Sequence, residues 1–132
     1  MTAHIKALPR LYDELNSSHQ TVHGAAHEAL AAAFCMINAS ETFVSPPGLQ
    51  NMHRQPKDAE RAVQKVRELP RRSRAEDDGY DALGIVLVNC RNDGSPVELV
   101  SAAPAPQPGD VDYYDRMIDR LATLYASRFK EL

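Results

Sequence analysis

Tryptophan is absent from the 132 residues, and large aliphatic and aromatic side chains are scarce. Leu, Ile, Val and Phe together number 28, about a fifth of the chain, while 18 of the hydrophobic residues are Ala. A share near ~20% in those four types borders on the disordered range, but disorder of that kind also needs a high net charge. The formal net charge is only -3, so a folded chain is expected. Its core should be thin, with elements approaching closely through Ala. A thin core is often completed by a second chain, which makes a homodimer or a protein partner the expected assembly.

A strong excess of either sign of charge is also missing. With a pI of about 5.9, nothing in the overall balance attracts nucleic acid or an acidic membrane. Cysteine is limited to Cys35 and Cys90, which form no C-x-x-C pair and sit among apolar neighbours, the pattern of reduced buried thiols. Long apolar runs are lacking as well. The longest stretch without charge, Ala29 to Ser40, has 12 residues and is too short to span a bilayer. The opening Met-Thr-Ala-His-Ile-Lys is not followed by the apolar run of a signal peptide. A cytoplasmic location is therefore expected.

The length suits a single domain covering 1–132. Pro9 can open a helix, and Leu8, Leu11, Tyr12 and Leu15 follow at helical spacing. Val22, Ala26, Leu30, Ala33, Phe34 and Ile37 continue a stripe of period near 3.6. Residues 9–38 are thus predicted as one long helix or two joined near Ser17. Glu41–Val44 is β-prone but short, and Pro46 to Pro56 reads as a loop. A helix then presents Ala59, Ala62, Val63, Val66 and Leu69 inward and ends at Pro70. Residues 71–81, where three arginines give way to four acids, read as an exposed, flexible linker.

Ile85-Val86-Leu87-Val88 gives the strongest strand signal, and Asn92-Asp93-Gly94-Ser95 is turn chemistry. With Val97–Val100 these residues predict a β-hairpin over about 84–101. Residues 102–109, rich in Pro, form a second flexible or stiff connector. A last helix should start with Asp110 as its cap and bury Met117, Leu121 and Leu124. The predicted fold is α+β: three or four helices packed on a small antiparallel sheet built around the hairpin. The expected core is Leu30, Phe34, Ile37, Val63, Val66, Ile85, Leu87, Leu99, Met117, Leu121 and Leu124.

Three features could carry chemistry. His19, His23 and His27 recur every four residues, so two adjacent imidazoles on a helix could chelate zinc or another divalent transition metal. All three cannot share one ion, since His19 and His27 would lie about 12 Å apart along a helix axis; further ligands would have to come from His53, Cys35 or a carboxylate. The stretch from His53 to Arg74 holds eight Lys or Arg against three acids, and Arg61, Lys65, Arg71, Arg72 and Arg74 could dock an acidic partner. The acidic run that follows could equally fold back on it. Asp112, Asp115 and Asp119 share a helical face, where negative charge suits the helix dipole. Cys90 lies beside Arg91, but no catalytic set accompanies it. No Walker loop, nucleophile elbow, H-E-x-x-H or Rossmann glycine pattern occurs.

These observations favour a small soluble interaction or regulatory protein without catalysis and without a cofactor, acting through a dimer or a protein partner. A metal-binding protein built on the His19/His23/His27 pairings is the alternative, and a small-ligand-binding domain is third.

Overall fold

The computed structural model describes residues 4–44, 52–54 and 58–129. Three helices pack on a small three-stranded mixed sheet, giving an α+β fold. The order is α1 (His4–Ala25), β1 (Ala32–Asn38), β2 (Thr42–Val44), β3 (Met52–Arg54), α2 (Asp58–Arg67), β4 (Ala82–Asn89), β5 (Glu98–Val100) and α3 (Tyr114–Phe129). The main sheet runs β1-β4-β5. The predicted hairpin is present as β4 and β5, paired antiparallel with Leu87 opposite Val100.

The helical reading of 9–38, as one helix or two joined near Ser17, holds only for its first part, α1. That helix begins earlier, at His4, with Pro9 inside it, runs through Ser17 without a break, and stops at Ala25. Ala32–Asn38 is instead a strand, paired parallel to β4 with Phe34 opposite Gly84 and Met36 opposite Val86. The sheet is therefore mixed rather than wholly antiparallel. Long-range pairing overrides the helix preference of the Ala-rich run. Burial along β1 alternates with period two, Ala33, Cys35 and Ile37 inward and Ala32, Phe34 and Met36 outward. A parallel strand pair needs a crossover, and α2 lies within it.

The inward face joins Ala31, Ala33, Cys35 and Ile37 to Leu83, Ile85 and Leu87, beneath Ala59, Ala62, Val63, Val66 and Leu69 of the α2 segment. Leu8, Leu11, Tyr12 and Leu15 of α1 pack against the same cluster. The thin core expected from composition is thus closed by small residues that let helices sit close to the strands. On the opposite face α3 lies over Gly84. A Cβ there would come 2.7 Å from Met117 Sδ, so any larger residue would force the Met117 side chain to move.

Residues 41–44 do pair, but with β3 in a separate two-stranded sheet, Phe43 opposite His53. Most of the loop expected over 46–56 lies outside the described residues, and its residues 52–54 form β3. The last helix starts at Tyr114, four residues after the expected cap; Asp110 instead accepts a hydrogen bond from the Gln107 backbone N–H at 2.8 Å. Among the described residues no helix is long and apolar enough to cross a membrane.

Candidate functional site

Two places concentrate the chemistry: a buried polar hub at one end of the sheet and an apolar face that α3 covers only in part.

The hub centres on Asp81, just before β4, in the stretch read from sequence as an exposed linker. Arg72, Tyr80 and Asp81 are in fact buried. The Asp81 carboxylate accepts from Arg72 Nε (2.8 Å) and Nη2 (3.1 Å), from the Ala31 backbone N–H (2.8 Å) and from Arg128 Nη1 (3.1 Å). Burial alone would raise the Asp81 pKa, but these bonds and the charges of Arg72 and Arg128 outweigh it and hold the carboxyl below its ordinary range. Arg72 also donates to the carbonyls of His27 (2.9 Å), Ala29 (2.8 Å) and Ala75 (2.7 Å). From α3, Arg120 donates to the carbonyls of Asp81 and Arg72. The hub thus ties the end of α1, the 71–81 loop, the start of β4 and α3 together.

Two of the three histidines lean on this hub. His23 Nε2 donates to Asp81 Oδ2 at 3.2 Å, and His19 Nε2 donates to Asn16 Oδ1 at 3.0 Å. Because both oxygens accept, both rings carry the proton on Nε2. Both Nδ1 atoms are buried and meet no protein partner. The two rings lie 6.1 Å apart, and His19 packs edge-on against Tyr80. Burial pushes the His19 pKa down, His23 and Arg72 push the same way, and Asp78 opposes them. His27 is exposed in the turn after α1, so the chelating series expected from sequence is split between the interior and the surface. Among the described residues, no group of three His, Cys, Asp or Glu converges as a metal site. Cys35 is buried, and burial raises its thiol pKa; Cys90 is half-buried.

The basic residues named from sequence do not form one docking patch. Arg72 is sealed in the hub. Arg74 pairs with Asp77 and Glu76, so the acidic run does fold back. Lys65 sits over the Tyr12 ring and pairs with Glu68. Arg71 lies near Asp112, which Arg67 holds at 2.6 Å. Asp112 is buried, apart from the helical face expected to join it to Asp115 and Asp119. Arg61 remains on the exposed side of α2.

The second place is the outer face of the sheet. The alternation that sends Cys35 and Ile37 inward sends Phe34 and Met36 outward, where they are 48% and 53% exposed. Leu99, opposite Val88, points the same way and is 76% exposed. Phe34 and Leu99, assigned to the core from sequence, are therefore surface residues, whereas Ile37, Val63, Val66, Ile85, Leu87 and Met117 are buried as expected and Leu30, Leu121 and Leu124 are partly so. Phe34 meets Tyr114 edge-on at 5.5 Å, and Ile118 and Tyr125 extend the surface along one side of α3. A groove of about 610 Å³ runs between Phe34, Met36, Leu99, Pro106, Pro108 and Tyr114. Both faces of β4 are under cover, as its unbroken apolar run predicted; the open part of the outer face belongs to β1 and β5, and no sequence signal marked it.

Comparison with protein-family models, with curated proteins and with solved structures gave no match in any of the three.

Proposed function

We propose that the protein is a small interaction module whose working surface is the outer sheet face with the adjoining side of α3. The observation that carries this reading is the groove lined together by Leu99, Met36, Phe34 and Tyr114, with the exposed Ile118 and Tyr125 further along the Tyr114 side of α3. Taking roughly 200 Å² for a fully exposed side chain of this size, they leave about 600 Å² of apolar surface open. That is the upper end of what a monomer tolerates, and such patches mark interaction sites. The hub does not compete for this role, because its charges are consumed internally.

The test uses a hydrophobic dye and light scattering on the native chain. Phe34→Glu combined with Leu99→Glu should keep the far-UV spectrum and the melting temperature while removing most dye binding and any self-association. Unchanged dye binding and association in that variant would sink the reading. The groove's volume also suits a small apolar ligand; saturable one-to-one binding of such a molecule by a monomer would move the function there.

A further inference from the structure

We infer that the partner on this face is a second copy of the chain, joined through the open edge of β1; the inference rests on the reading of the outer face as an interaction surface. Among the described residues β1 is an edge strand, with β4 on one side only. Parallel pairing uses alternate residues of a strand. The carbonyl of Ala31 accepts from the N–H of Ala82, and the N–H of Ala39 donates to the carbonyl of Val88, which assigns the odd-numbered residues to β4. The backbone N–H and C=O groups of Ala32, Phe34 and Met36 therefore point to the open edge. These are also the residues whose side chains stand on the outer face.

Natural edges are blunted by Lys, Pro, a bulge or shortness. β5 is short and carries Glu98. β1 has seven residues, Ala-Ala-Phe-Cys-Met-Ile-Asn, with no charge and no proline. An uncharged, unguarded edge is satisfied by its own copy running antiparallel across a two-fold axis, the arrangement that closes without leaving a further edge. Centred at Cys35, the pairing sets Phe34 beside Met36 of the partner subunit and produces a continuous six-stranded sheet. Phe34, Met36, Tyr114, Ile118 and Tyr125 expose roughly 500 Å² between them. With the strand edge itself, this approaches the ~800 Å² per partner of a standard interface. Leu99 lies on β5, at the far side of the sheet from the axis.

Light scattering on the full chain at tens of micromolar should give twice 14.6 kDa. Met36→Pro removes an N–H that β4 does not use, so the variant should keep its far-UV spectrum and melt yet run as a monomer. Leu99→Glu should leave the dimer mass unchanged. Independently of any variant, the amides of Ala32, Phe34 and Met36 should be protected from exchange above the association concentration and exposed below it. A dimer broken by Leu99→Glu, or one in which those three amides exchange freely, overturns edge pairing while leaving the face in use. A monomer that binds dye on the face overturns the second copy as partner. A monomer whose face variants change nothing overturns the interaction reading as well.

Discussion

The sheet face beneath α1 and α2 and the face beneath α3 are built from the same strands, and they differ in what covers them. On the first, small residues on β1 and large ones on β4 meet two helices, and nearly every side chain is sealed. On the second, α3 comes close at Gly84 through Met117 and touches Phe34 through Tyr114, yet leaves Phe34, Met36 and Leu99 at the surface. Apolar character is common to both faces, so hydrophobicity alone does not distinguish core from interface. The distinction is set by where a helix is anchored. Arg120 and Arg128 fix α3 to the hub, and the helix so placed leaves Leu99 76% exposed.

The largest expected effect breaks the anchor. Asp81→Ala strands the buried Arg72 guanidinium without its carboxylate, and removing one member of a buried pair costs about 3–5 kcal/mol. Urea unfolding should show this loss; a midpoint near that of the parent would mean that the hub charges are better solvated than their burial implies. The next effect compares the faces directly. Leu87→Ala on the sealed face should cost roughly 2–5 kcal/mol, whereas Leu99→Ala on the open face should stay within about 0.5 kcal/mol in the monomer. Equal losses would erase the contrast.

The smallest effect concerns the buried imidazoles. His19 is held below the ordinary histidine range, so the unfolded chain binds the proton more readily than the folded one. Its contribution is therefore complete above the unfolded pKa near ~6.5 and is lost as pH falls through that value towards the folded one. Unfolding midpoints at pH 7.5 and 5.5 should differ, and His19→Gln should shrink the difference. An undiminished difference in that variant would assign the pH dependence elsewhere.

Local signals in the sequence marked α2, the β4–β5 hairpin and the inner stripe of α3, because each carries its period and its turn within a short window. β1 was hidden for two reasons. Alanine favours a helix in isolation, and with Phe34 and Met36 outward and Cys35 and Ile37 inward both faces are apolar, so no polar alternation betrays a strand. Its partner lies some 50 residues away, beyond the reach of any window. Phe34 and Leu99 read as core for the same reason, since exposure depends on where α3 comes to rest. Arg72 and Asp81 were obscured by company: in a block of three arginines followed by four acids, a sealed pair has the same appearance as a solvated run. The one available cue was Gly79-Tyr80 between them, a left-handed turn and a bulky ring inside a supposed linker. Gly79 has a φ of +126°, and a Cβ there would meet the Pro70 carbonyl at 2.7 Å.

Arg72 has a consequence for how the molecule opens. A single guanidinium holds carbonyls 45 residues back, at His27, and a carboxylate nine residues ahead, at Asp81. It fastens distant chain segments much as a covalent cross-link would, but through bonds that must all be surrendered at once. The end of α1, the 71–81 loop and the first residues of β4 therefore have no inexpensive partial release. They belong to one cooperative unit, and a loop whose composition suggests fraying opens only with the strands it secures.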